Sequence, residues 1–243
     1  VSIIAASEAF RLLRAAGLPG DPGVGVIAAP LAVIGTLRPS LATGVGIGAI
    51  VIIASGMAAF RKSDAKAGFL TWAGSTFGAL YVALLAFIPA IVELAPPTDP
   101  AAPLAHFFDA GRWWLLVVVL TVWSFDSLAY LVGRTYPRGH FLNHISPNKT
   151  WSGVIGGTVA AVVVCAALAW GIAHHPLQGA ILGAIIAVTA QAGDVAESLL
   201  KRAAGAKDSG TLIPGHGGIL DRVDSFLLAA PAAWLYLAVI GIG

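Results

Sequence analysis

Apolar runs long enough to cross a bilayer recur along almost the whole sequence, and few folds can accommodate that. A membrane-spanning helix needs about 20 apolar residues, within a range of roughly 17 to 25. Such segments are read near 1–17, 22–37, 41–60, 67–93, 112–134, 151–173, 177–203 and 219–242. The second is short and broken by Pro30 and several glycines. Only 11% of the 243 residues are charged, whereas a soluble domain carries about 25%. A soluble chain of this length would still need a charged exterior. The expected class is therefore an all-α polytopic integral membrane protein with about eight transmembrane helices in the visible chain. Residues 1–110 are read as N-terminal transmembrane helices and 111–243 as a C-terminal catalytic region, together forming one membrane domain.

The basic residues give an independent orientation. If the segments alternate, the loops near 11–21, 61–66, 134–150 and 201–222 share one side and hold 12 of the 14 Lys and Arg. Arg38 and Arg112 fall on the other. Positive charge stays cytoplasmic during insertion, so the dense polar loops are expected to face the cytoplasm. A net charge of +2 is too small to imply a nucleic-acid partner. Cys165 is the only cysteine, which excludes a disulfide framework and a thiolate metal site. The sequence begins at Val1 within a helical pattern, and a preceding N-terminal piece is expected.

Five of the 12 acidic residues lie between Asp194 and Asp224, next to apolar runs. An ionisable group at membrane depth costs roughly 2.5 to 3.5 kcal/mol at a helix centre, so it reads as functional. Asp194, Glu197, Ser198 and Lys201 are spaced i, i+3, i+4, i+7 and share one helical face. Asp221, Asp224 and Ser225 repeat the geometry on the next helix. Two carboxylate faces of this kind supply hard oxygen ligands, which suit Mg²⁺ completed by waters and substrate phosphates. Between them come Lys201, Arg202, Lys207, Asp208 and the run Pro214-Gly215-His216-Gly217-Gly218. Glycine backbone and a helix start near Ile219 can approach an anion, so the stretch describes a polyphosphate site. A GxxxxGK[ST] P-loop is absent. Upstream, Asp126 sits in an apolar helix, and Lys149 and Thr150 stand at a helix entry where a bound anion would relieve the unfavourable lysine. A structural polar seam is the plain alternative for the whole cluster.

The run Ser198–Asp224, S-x-x-K-R-x4-K-D-x5-P-G-H-G-G-x-x-D-R-x-D, resembles the signature of the phosphatidate cytidylyltransferases, or CDP-diacylglycerol synthases. Gly193-Asp194 with Glu197, D-S-x-A-Y at Asp126–Tyr130 and S-P-x-K-T-W-x-G at Ser146–Gly153 resemble the family as well. The resemblance covers residues 120–235 closely, and the remainder only in hydropathy. It implies an integral membrane enzyme that makes CDP-diacylglycerol and pyrophosphate from CTP and phosphatidic acid. It further implies a homodimer in the plasma membrane of a bacterium, dependent on Mg²⁺, with room for K⁺ as a second cation. The family's metal-binding aspartates map onto Asp194 and Asp221.

On this reading Lys201, Arg202, Lys207 and Arg222 cradle the triphosphate or the lipid phosphate, with Asp194, Asp221, Lys207 and Arg222 as the catalytic set. His216, Gly217 and Gly218 contact the leaving pyrophosphate, while Lys149, Thr150 and Ser198 help bind substrate. For Asp126, Asp208 and Asp224, supporting and ligand roles fit equally well. The rivals are a CTP-using enzyme acting on an isoprenoid or ether lipid, a CDP-alcohol phosphotransferase and a cation-coupled transporter. The phosphotransferase core D-x-x-D-G-x-x-A-R is missing, since the chain contains no Asp-Gly pair. A transporter would place its acids nearer the bilayer midplane.

Overall fold

The computed structural model describes residues 1–36, 41–212 and 217–240. Its elements are helices throughout: α1 (Ser2–Ala15), α2 (Pro22–Thr36), α3 (Leu41–Ala59), α4 (Ala65–Ala83), α5 (Phe87–Leu94), α6 (Ala110–Thr135), α7 (Trp151–Ala173), α8 (Pro176–Ala203) and α9 (Leu220–Ile240). Short 3₁₀ turns lie at Leu84–Ala86 and Ala105–Phe107. Local chemistry sets several of the starts. Asp64 accepts the Ala67 N–H at 2.8 Å ahead of α4, and Asp109 accepts the Arg112 N–H at 2.9 Å ahead of α6. Thr150 does the same for the Gly153 N–H of α7 at 3.1 Å. Each satisfies one of the orphan donors of a first turn.

The expectation of about eight crossings is corrected. Among the described residues, four helical stretches are long and apolar enough to span: Ala65–Leu94, Ala110–Thr135, Trp151–Ala173 and Pro176–Ala203. The first runs from α4 through the 3₁₀ turn into α5. α1 has 14 residues, about 21 Å at 1.5 Å each, short of a hydrocarbon core of about 30 Å. It also carries Glu8, Arg11 and Arg14. α2 has 15 residues with Pro30 inside it, and the apolar part of α3 is the short stretch Gly46–Met57. α9 opens with Asp221, Arg222 and Asp224 in its first five residues.

The chain divides into two compact units, Val1–Phe87 with Ala196–Leu227, and Ile88–Val195 with Leu228–Gly243. In the first, Phe10 of α1 is buried, and the backbone of Gly20, Gly25 and Gly78 closes around its ring. Asp21 N–H donates to Ser75 Oγ at 2.8 Å, tying the start of α2 to α4.

In the second unit α6 and α7 pack nearly backbone to backbone. A Cβ added to Gly153 would lie 2.7 Å from Ala129 O, and one on Gly157 would lie 2.8 Å from Phe125 O. Small residues are what let two apolar helices approach this far, because lipid gives them no hydrophobic drive to associate. The first half of α8 repeats the device, with Gly179 against Cys165 O and Gly183 against Ala161 O. The proline-rich segment 95–109 is anchored to the end of α7. Asp99 and Leu104 donate N–H groups to Ile172 O and Gly171 O at 2.9 and 2.8 Å, and Asp99 Oδ2 lies 2.9 Å from His174 Nδ1.

Gly157→Val should force α6 and α7 apart against a backbone carbonyl that cannot yield. Overpacking of this kind costs about 1–3 kcal/mol, expected as a lowered midpoint in thermal unfolding of the detergent-solubilised protein.

Candidate active site

The first unit collects much of the charged cluster. It contains the end of α8 from Ala196, the loop that follows, the first turns of α9, and α1. Asp221 stands in the first turn of α9 with its side chain 11% exposed. Its Oδ1 lies 2.7 Å from Lys201 Nζ. Its Oδ2 accepts the Ser209 N–H at 2.8 Å, the Ser209 hydroxyl at 2.7 Å and the Gly218 N–H at 2.7 Å. Burial by itself would raise this carboxyl, but the Lys201 ammonium, the Gly218 N–H and the two Ser209 donors outweigh it and bring it down to about 2. Hydrogen bonds and a nearby cation favour the charged form. Asp221 is thus held as a carboxylate, by donors that also fix its direction.

Lys201 serves a second acid. One helical turn earlier on α8, Glu197 is fully buried and ion-paired with the same ammonium. Glu197 Oε1 is buried with no hydrogen-bond partner among the described residues. Asp224 repels Glu197 electrostatically, so an acid of α8 and one of α9 act on one another. Ser198 and Asp224 are half-buried here.

Arg202, Lys207, Asp208 and Arg222 are exposed. Arg202 donates to Ala206 O at 3.2 Å, just past the end of α8. His216 lies outside the described residues, as do Pro214 and Gly215. Gly217 has φ +80°, a left-handed conformation that favours glycine, and a Cβ there would meet Asp221 Oδ2 at 2.5 Å.

The second unit holds Asp126, Lys149, Thr150 and Asp194. Lys149 Nζ and Asp194 Oδ2 form an ion pair at 2.5 Å, with the lysine side chain 16% exposed. Thr150 is buried as the cap of α7, and Asp126 is exposed on α6. Lys149, which reads as an unfavourable charge at a helix start, is answered here by a carboxylate of the chain itself.

Two residues central to the first unit escaped the sequence reading. Ser209 occupies one of the x positions of the signature, yet it supplies two of the hydrogen bonds on Asp221. Glu8 on α1 is 5% exposed and accepts N–H groups at the start of α9. A signal for Glu8 existed, since it is an acid in an apolar run, the criterion that singled out the C-terminal cluster.

The resemblance implies magnesium. The available donors are hard carboxylate oxygens, including the unsatisfied Glu197 Oε1, and they fit that ion chemically. No group of three or more His, Cys, Asp or Glu suited to a metal occurs among the described residues. That is compatible with Mg²⁺, which takes one or two carboxylates and fills its remaining positions with water and phosphate oxygens.

Comparison with known proteins decides the family. The family described as "Cytidylyltransferase family" matches residues 1–240. The chain belongs to it. Relatives named phosphatidate cytidylyltransferase include one from Brucella abortus, 42% identical over 137 residues, covering 53% of this chain and 48% of the relative. One from Bacillus subtilis is 42% identical over 131 residues, with the same shares of each chain. One from Rickettsia felis is 40% identical over 132 residues, covering 51% of this chain and 58% of the relative. The chain spans about half the length of the curated relatives it matches. The resemblance read from Ser198–Asp224 thus agrees with the family found by comparison.

For this cytidylyltransferase-family chain, removing the shared cation should be costly. Lys201→Met leaves Glu197 and Asp221 buried without their counter-charge. Breaking a buried pair from one side costs about 3–5 kcal/mol, expected as a large loss of stability in chemical denaturation, whereas exposed Lys207→Met should change it little.

Proposed function

We propose that the protein is a phosphatidate cytidylyltransferase that transfers CMP from CTP to phosphatidic acid, giving CDP-diacylglycerol and pyrophosphate. The observation that carries this reading is Asp221: a carboxylate kept ionised by Lys201, Ser209 and Gly218 at the start of α9. Family membership supplies the nucleotide chemistry, and the names of the relatives supply the lipid acceptor.

In the proposed reaction a phosphatidate oxygen forms a bond to the α-phosphorus of CTP while the bond from that phosphorus to the β-phosphate oxygen breaks. The pyrophosphate departs with the electron pair. No covalent enzyme intermediate is needed, because the lipid phosphate is already ionised near neutral pH. Both reactants are anions, so charge neutralisation and in-line positioning are the main tasks. We assign magnesium to Asp194 and Asp221; the ion, when bound, offsets phosphate charge. Potassium is the candidate second cation. Arg202, Lys207 and Arg222, all exposed, are assigned to the phosphate oxygens. His216 and Gly217 are assigned to the pyrophosphate end.

Orientation follows from charge. If the four spans alternate, 13 of the 14 Lys and Arg fall on one side or at the span ends facing it, and only Arg112 opposes them. The positive-inside rule makes that side cytoplasmic, where CTP is available. Phosphatidic acid would enter from the bilayer of a bacterial plasma membrane. A homodimer completes the proposal, and native mass spectrometry at twice the chain mass would support it.

The test is the purified protein in mixed micelles with labelled CTP, Mg²⁺ and phosphatidic acid, scoring label that extracts with lipid. EDTA should abolish labelling. Asp221→Asn and Asp194→Ala should each lower the rate by about a hundredfold or more, the scale of losing a preorganised charge-stabilising group. Asp221→Asn should remain folded by near-native circular dichroism. Label entering only an ether or isoprenoid phosphate would keep the reaction and move the substrate. A fully active Asp221→Asn enzyme would overturn the metal assignment.

A further inference from the structure

Glu8 belongs to α1, some two hundred residues before the signature, and the proposed reaction leaves it without a role. Its carboxylate faces the start of α9. Oε1 accepts the Ile219 N–H at 3.2 Å and Oε2 the Leu220 N–H at 2.8 Å. The neighbouring donors are also engaged: Gly218 N–H goes to Asp221 Oδ2 at 2.7 Å, and Asp221 N–H to Ser209 Oγ at 3.3 Å. Four consecutive N–H groups, from Gly218 to Asp221, therefore end on side-chain oxygens of the protein. A helix N-terminus carries roughly half a positive charge, so an anion is favoured there. The sequence pattern suggested a substrate phosphate for that place; the structure puts Glu8 in it.

The surroundings are shaped for this carboxylate. A Cβ on Gly210 or on Gly218 would run into it. Ser209 Oγ lies 2.7 Å from Asp221 Oδ2 and 3.4 Å from Glu8 Oε2. A hydroxyl has one proton and the shorter contact takes it, so the Ser209 hydroxyl serves Asp221, and Glu8 is held by the backbone N–H groups of Ile219 and Leu220. One turn along α1, Arg11 donates to Ser209 O. The first helix thus holds a carbonyl of the loop with a cation and the start of α9 with an anion.

We propose that Glu8 is a positioning residue for Asp221, fixing through the α9 start the direction in which that carboxylate meets its cation. The inference rests on the reading of Asp221 as a metal-binding residue. A residue that served folding alone would alter stability and leave the metal affinity of the folded protein unchanged.

The experiment measures Mn²⁺ binding to the full chain in detergent by electron paramagnetic resonance, together with the Mg²⁺ dependence of turnover. Glu8→Gln keeps the shape and removes the charge. It should weaken Mn²⁺ binding by about tenfold, the usual range for groups that orient a metal ligand, and raise the Mg²⁺ needed for half-maximal turnover by a similar factor. Glu8→Asp should recover part of the loss. Gly210→Ala keeps the carboxylate but displaces it, and should weaken binding in the same direction; it decides the matter if Glu8→Gln fails to fold. Asp221→Asn is the reference. If it abolishes Mn²⁺ binding while folded Glu8→Gln and Gly210→Ala bind as the parent does, the role of Glu8 is refuted and the metal assignment stands. If Asp221→Asn binds Mn²⁺ normally, the metal assignment fails, and this inference with it.

Discussion

The ammonium of Lys201 is the interaction on which the cluster depends. Glu197 and Asp221 are both withdrawn from water, and each would be expensive to keep charged without a counter-ion. One cation placed between a turn of α8 and the first turn of α9 answers both. Because the lysine is fixed by two acids, the two helix ends are fixed relative to the loop joining them. The loop contributes too: Ser209 and Gly218 turn their donors onto the remaining oxygen of Asp221. The result is a carboxylate that is held charged and fixed in direction.

Close helix approach organises the packing within each unit. Lipid gives apolar helices little reason to associate, so contact comes from backbones brought together over glycine. Gly153 and Gly157 do this between α6 and α7, and Gly179 and Gly183 between α7 and α8. In the other unit glycines wrap an aromatic ring instead, closing α2 and α4 around Phe10. That packing holds α1, and with α1 come Glu8 and Arg11, the two residues that grip the loop before α9.

Much of this could be read in advance. The four spans of the structure lie within about two residues of the segments read at 67–93, 112–134, 151–173 and 177–203, because a run of apolar residues bounded by capping groups has few alternatives. The further crossings did not survive. Residues 1–17 contain Glu8, Arg11 and Arg14 within a helix of 14 residues, and a length-based reading passes over side chains whose partners lie far along the chain. The helical spacing of Glu197 and Lys201 was legible, since the pair is local to one helix. The pairing of Lys149 with Asp194 was not, because 45 residues separate the partners.

Sequence by itself determined that the chain is helical and membrane-embedded, that an acidic and basic cluster gathers around Asp194 to Asp224, and that the chain belongs with the cytidylyltransferases. These follow from hydropathy, helical period and residue type, which are properties of short stretches. Only the tertiary structure decided which partner answers each charge. Ser209 rather than a more conspicuous residue holds Asp221, and Glu8 on the first helix caps the helix that carries it. Hydrogen bonds act over about 3 Å in space and take no account of distance along the chain, so their partners become known only once the helices are packed.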